Sequence, residues 1–240
     1  MPVTLLRLWK SEATADRQHL FWLQHIFTMQ SDIPAILRTL RRHHTETMLE
    51  RFSDNNPFMV LVSTVLSART KDVTTIPIAE RLFEKYKTPE DFLRIPTKRL
   101  EKMIYGIGFY HEKAKRLQAL SRALLEKHRG RVPQQLEALL ELPGVGRKTA
   151  NCVLVYAFRK PAIPVDVHVH RVSNRLGIVK TKKPIETEEA LARVVPKRYW
   201  IELNELFVRH GQTICAPVSP FCSRCPIRKL CRRIGVKRSR

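Results

Sequence analysis

Lys148 and Asp166 are the two residues whose types and spacing could carry covalent chemistry. Lys148 stands in Leu142-Pro143-Gly144-Val145-Gly146-Arg147-Lys148-Thr149-Ala150, and Asp166 follows eighteen residues later in Pro164-Val165-Asp166-Val167-His168. The first segment reads as a glycine hairpin that opens a helix, with the amine in that helix's first turn. Backbone N–H groups at such a helix start bind phosphate, and an amine beside a carboxylate can do carbonyl-type chemistry next to it. An amine nucleophile must shed its proton. The positive end of a helix and partial burial favour that loss, whereas an adjacent carboxylate opposes it. A plain helix–helix turn and a simple phosphate contact are the simpler readings of these residues. Arg147-Lys148 directly behind the glycines, in so basic a chain, points instead to an enzyme acting on a nucleic-acid sugar.

A second constellation lies near the C-terminus. Cys215, Cys222, Cys225 and Cys231 have the spacing Cys-x6-Cys-x2-Cys-x5-Cys. Four thiolates so close in sequence can wrap one metal centre. Disulfides are disfavoured in an intracellular basic protein. A structural zinc suits a four-thiolate set, although zinc sites more often pair two Cys-x2-Cys knuckles across a longer insert. Arg224, Arg228 and Lys229 lie between or beside these cysteines, where they would meet phosphate. Cys152 sits in an apolar helical run and reads as a core residue. His168 and His170 could complete an Asp-His-His metal site with Asp166, but no carboxylate cluster follows, so His168 reads as a capping or packing residue. The remaining histidines, including His43-His44, read as exposed polar positions.

These groups need a scaffold, and the chain supplies helical patterns almost throughout. Its 240 residues are 43% apolar, enough for one large domain or two small lobes with a sizeable core. Ile33, Ile36, Leu37 and Leu40 recur at helical spacing behind Ser31-Asp32 and Pro34. Leu117, Leu120 and Leu124 predict a second helix, and Trp200, Leu203 and Phe207 a third. Short breakers such as Thr88-Pro89, Gly106-Ile107-Gly108 and Lys160-Pro161 fit the tight connections of a helical domain. Val165 to His170 alternates like a strand, yet after the extended linker Pro161 to Pro164 it reads better as a helix start capped by Asp166. Residues 1–30 form an extension with no clear role.

The formal net charge of +22 attracts polyanions, with nucleic acid ahead of an anionic membrane surface. After Glu205 there is no acidic residue, while nine Lys and Arg follow; the final Lys237-Arg238-Ser239-Arg240 reads as a solubilising tail. The apolar runs are too short to cross a bilayer, and Glu12, Asp16 and His19 interrupt any signal-like segment. A soluble intracellular protein is expected, in a prokaryotic cytoplasm or, if eukaryotic, in a nucleus or mitochondrion.

Leu142 to Ala150, Val165-Asp166-x-His168 and the cysteine spacing together resemble endonuclease III, of the helix-hairpin-helix DNA glycosylases. Asn56-Pro57-Phe58, Val65-Leu66-Ser67-Ala68 with Asp72, and Ile107-Gly108-Phe109-Tyr110 with Lys113-Ala114 extend the resemblance over roughly residues 31–235. It implies an all-α, two-lobed fold with a C-terminal [4Fe–4S] cluster loop on the four cysteines. It also implies a bifunctional, monomeric enzyme that removes oxidised pyrimidines from double-stranded DNA, acts at abasic sites and nicks the strand by β-elimination. By position, Lys148 would attack the sugar C1′ and Asp166 would stabilise positive charge on the sugar. Gly144, Val145, Gly146 and Arg147 of the hairpin would hold DNA. In the family, the positions of Arg69 and Phe109 fill the gap left by the flipped base and wedge the stack. Arg69 stands where glutamine is usual and Phe109 where leucine is common, departures that bear on lesion and opposite-base preference.

The expected division is a helical lobe from 31–50 and 161–240, with the cluster loop at 215–231, and a bundle lobe over 51–160 with the helix-hairpin-helix at about 134–158. The DNA groove would lie between them. Two other readings compete: a monofunctional mismatch glycosylase, and a non-catalytic iron–sulfur DNA-binding protein.

Overall fold

The computed structural model describes residues 32–44 and 56–240. The extension 1–30 and the expected lobe boundary at 50 and 51 lie outside the described residues. Among the described residues, eleven α-helices and two short 3-10 turns make up the regular structure, and there is no strand. The helices are α1 (32–41), α2 (Pro57–Ser67), α3 (Asp72–Phe83), α4 (Pro89–Arg94), α5 (Thr97–Met103) and α6 (Tyr110–His128). They continue with α7 (Leu136–Leu140), α8 (Arg147–Phe158), α9 (Val167–Leu176), α10 (Pro184–Val194) and α11 (Trp200–Thr213). The expected all-helical architecture is thus the observed one.

Local chemistry explains where the helices begin and stop. Asn56 caps α2 by accepting from Phe58 N, with Pro57 at the first helical position. Thr88 and Asp91 form a capping box at α4, again with a proline at the start. Gly177 closes α9 in the left-handed conformation, which costs glycine nothing. The alternating stretch from Val165 does start a helix: the residues facing inward are Val169, Val172, Ser173 and Leu176, at helical and not strand spacing.

Two apolar cores result. One gathers residues of α2 to α8, including Phe58, Leu66, Phe92, Leu117 and Val153, where α2 packs on α8 and α4 on α6. The other joins Ile33, Ile36, Leu37 and Leu40 of α1 to Val169, Leu176, Leu203 and Phe207, where α9 packs on α11. The chain passes from the first core to the second between Ala162 and Ile163, inside the extended linker. Polar contacts bridge the two: Arg147 Nε to Glu188 at 3.0 Å, Arg159 to Glu205 at 3.6 Å, and Asn204 Nδ2 to the Tyr156 hydroxyl at 3.2 Å.

Two expectations fail here. His210 is not an exposed polar residue; it is 2% exposed, and its Nδ1 lies 3.1 Å from His44 Nε2. Desolvation, with the His44 charge adding, holds it down to about 3, so it is neutral at ordinary pH. The C-terminus is more than a solubilising tail, because Arg240 donates to the carbonyls of Pro220 and Ser219 and lies 4.1 Å from the Phe221 ring.

Phe207 is fully buried beside α9, so Phe207→Ala should lower the unfolding free energy by about 3–5 kcal/mol. Urea denaturation of the two proteins measures this.

Candidate active site

Lys148 and Asp166 border the same cleft, of about 1190 Å³, between the two cores. Lys148 sits in the first turn of α8, on an exposed face. Gly144 takes φ +79°, and an added Cβ there would meet the Arg116 side chain at 3.3 Å. Gly146 has an ordinary φ of −92° and open space around it, so its value is an unobstructed helix start and not a strained turn. As the N-cap of α8 it offers no side-chain hydrogen bond, and no acidic residue lies in the first turn. The helix end therefore presents its partial positive charge to whatever approaches. Val145 is buried and anchors the hairpin, while Arg147 is engaged by Glu188.

Asp166 is the N-cap of α9, and its Oδ1 accepts from His168 N at 2.8 Å and Val169 N at 2.9 Å. Both bonds fall on one oxygen, which leaves Oδ2 outside the cap. Cys152, one turn beyond Lys148 and 3% exposed, is a core residue as its setting suggested. Burial pushes its thiol up to about 11; the Lys148 charge lowers it and the Asp166 charge raises it, so both groups act on one sulfur. His168 packs too, with its Cβ against Gly211 and its ring near Arg171 at 3.1 Å.

Arg69 also borders the cleft, and its guanidinium carbon lies 5.0 Å from the centre of the Phe109 ring. The two come from different loops, after α2 and before α6, and both hold the left-handed backbone, at φ +58° and +59°. For non-glycine residues that conformation costs of the order of 1–3 kcal/mol each. Phe109 is 60% exposed. Behind the two loops lies Lys113, whose Nζ donates to Leu66 O at 2.9 Å and to Ala68 O. Desolvation, with the Arg116 charge adding, brings this amine down to about 8.

Cys215, Cys222, Cys225 and Cys231 line one apolar cavity with Val172, Leu176 and Ile227. Arg224 and Arg228 stand on the exposed face of this loop, away from the residues that line the cleft, with Arg224 stacked 4.1 Å from the Phe221 ring. Among the described residues no three Cys, His, Asp or Glu side chains are placed to hold one metal ion. The donor set is four thiols, the ligand chemistry of a sulfur-held metal centre. Burial, opposed by a backbone hydrogen bond from Ile227 and aided by the other three thiols, pushes Cys225 up to about 11. Four sulfurs gathered on one apolar cavity are a donor set that fits a metal centre. Arg171 and Arg175 of α9 tie the loop down through Cys215 O at 2.9 Å and Ala216 O at 2.7 Å.

Sequence reasoning missed three features of the site. His210 follows Leu203 and Phe207 at helical spacing, a signal that places it on the buried stripe of α11. Tyr156 and Asn204 border the cleft from facing helices, and only the packing of α8 near α11 brings them there. Lys113 was matched as part of a motif but given no task.

The HhH-GPD superfamily base excision DNA repair protein family matches residues 62–197. The chain is 47% identical over 196 residues to endonuclease III of Thermotoga maritima, across 82% of this chain and 88% of that protein. Among solved structures it is similar to a trapped endonuclease III–DNA covalent intermediate, at 39% identity and TM-score 0.72 over 83% of this chain and 95% of that one. It is also similar to a thermostable thymine-DNA glycosylase, at 30% identity and TM-score 0.74 over 85% and 94% of the two chains.

Losing the cap acceptor in Asp166→Ala should lower stability by about 1 kcal/mol, whereas Asp166→Asn, which keeps an acceptor, should stay close to the parent. Denaturant unfolding of the three proteins distinguishes these outcomes.

Proposed function

The chain belongs to the endonuclease III family, within the HhH-GPD superfamily of base excision DNA repair proteins, and from that premise we propose which residues carry its chemistry. It is a bifunctional DNA glycosylase and AP lyase. The substrate is double-stranded DNA carrying oxidised pyrimidines or abasic sites, bound by a monomer. A net charge of +22 supports the polyanion. The enzyme works inside the cell, in whichever compartment holds that DNA.

The damaged nucleotide leaves the stack for the cleft, at a cost of a few kcal/mol that is lower for damaged pairs. Phe109 wedges the stack and Arg69 fills the gap left behind. The uncapped start of α8, through Gly144, Gly146 and Arg147, holds a backbone phosphate beside the target, while buried Val145 gives its N–H to Leu142 O and anchors the hairpin instead. Lys148 Nζ, once deprotonated, forms a bond to C1′ as the glycosidic bond breaks and its electron pair leaves with the base. Oδ2 of Asp166 stabilises the positive charge that grows on the sugar and takes up protons, while Oδ1 stays in the cap. The C1′–nitrogen adduct opens to an imine. Loss of a C2′ proton then expels the 3′ phosphate and nicks the strand. Water finally hydrolyses the imine and frees Lys148.

Cys215, Cys222, Cys225 and Cys231 would hold a [4Fe–4S] cluster. When bound, the cluster supplies a cross-link of the loop and a redox-capable centre. Arg224 and Arg228 on the loop's outer face then meet phosphate. The single observation that carries this reading is the shared cleft of Lys148 and Asp166. The likeness to a thymine-DNA glycosylase favours a second reading, base release without nicking, and Lys148 argues against it.

Borohydride should trap a covalent adduct with a duplex carrying one oxidised pyrimidine, and Lys148→Ala should abolish it. Persistence of the adduct in the variant removes Lys148 from the role, and base release with no adduct in the parent selects the second reading. Cys225→Ser should reduce bound iron from about four per chain, read by iron and sulfide analysis.

A further inference from the structure

We propose that Lys113 is a positioning residue that ties the loop bearing Arg69 to the loop bearing Phe109, so that the two side chains enter DNA as one preassembled wedge. This rests on the role given to those side chains above. Lys113 lies on α6, is 5% exposed, and is not among the residues that border the cleft, so it acts through others. Its ammonium has three N–H donors and finds three acceptors, at the end of α2 and in the loop that follows it. They are Leu66 O at 2.9 Å, Ala68 O, and Thr70 Oγ1 at 3.4 Å. The first two are carbonyls at the C-terminal end of α2, where a cation is favoured and an orphaned acceptor is costly.

Thr70 passes the connection on, because its Oγ1 also accepts from Gly108 N at 3.1 Å. Gly108 immediately precedes Phe109, and a Cβ on it would stand 3.1 Å from Arg69 O, tighter than ordinary contact. The two loops therefore touch backbone to backbone, and the Arg69 guanidinium lies over the Phe109 ring. Neither loop belongs to a helix at these positions, and both residues hold left-handed backbone that would relax if unsupported. A wedge driven between stacked bases works only if its base does not yield. The amine beneath both loops supplies that stiffness, and an apolar residue of the same length would leave the α2 carbonyls without a donor.

The test compares base release by the parent and by Lys113→Met on two substrates: an oxidised pyrimidine paired within a duplex, and the same lesion left unpaired in a bulge. The paired lesion needs the wedge and the bulge needs it far less. Lys113→Met should lose at least about tenfold on the paired lesion and little on the bulge, as a misplaced group well away from the chemistry does. In a double-mutant cycle, Phe109→Ala should cost less in the Lys113→Met background than in the parent, so that the two losses do not add. Thr70→Val, which removes only the relay, should move the same way by less, and serves where Lys113→Met unfolds. Equal losses on the two substrates, or additive losses with Phe109→Ala, would overturn the proposal while leaving the glycosylase reading intact. A parent that releases base from neither substrate would overturn that reading first.

Discussion

Two hydrogen bonds to one carboxylate oxygen organise this molecule. Asp166 Oδ1 takes the N–H groups of His168 and Val169, and so starts α9 at the point where the chain enters its second core. The same bonds fix the carboxylate against the cleft that Lys148 borders. A side chain that must cap a helix cannot swing away, so one set of contacts serves folding and orientation together. The other oxygen stays clear of the cap, which is what a group proposed to answer charge on a sugar requires.

The helix that Asp166 opens reaches further. Arg171 and Arg175, one and two turns along its length, donate to carbonyls at 215 and 216, and Arg175 also lies 3.4 Å from Cys215 Sγ. The cysteine loop is therefore pinned to the element that carries the proposed catalytic carboxylate. His210, neutral and buried, fills the space behind with Nε2 at 3.6 Å from Cys225 Sγ. Three backbone carbonyls of the loop, those of Cys215, Ala216 and Pro217, are satisfied here by two guanidinium forks, a geometry that an ammonium would not match.

On the opposite wall the fold accepts strain. Arg69 and Phe109 hold a backbone that L residues avoid, and both lie on the surface proposed to meet DNA. Local strain of this kind persists only where the surroundings over-determine it. The buried ammonium of Lys113 and the close approach of Gly108 to Arg69 O supply the constraint. Stability is lost at one point to hold exposed groups still.

Much of this was legible in the chain. Apolar residues at helical spacing set α1, α6 and α11, Thr88-Pro89 set the start of α4, and a carboxylate after an extended linker set the start of α9, because each is a local effect within a few residues. Lys148, Asp166 and the four cysteines stood out as candidates for the same reason, since residue type and spacing are read along the chain. The sequence could not reveal that Arg69 lies over Phe109, that Lys113 bonds a loop more than forty residues away, or that Tyr156 meets Asn204 at the cleft. Nor did it reveal that Arg147 is held by Glu188 or that Arg240 folds back on Phe221. These contacts join residues distant along the chain, and only the packing of helices against one another decides which of many exposed and buried polar groups become neighbours.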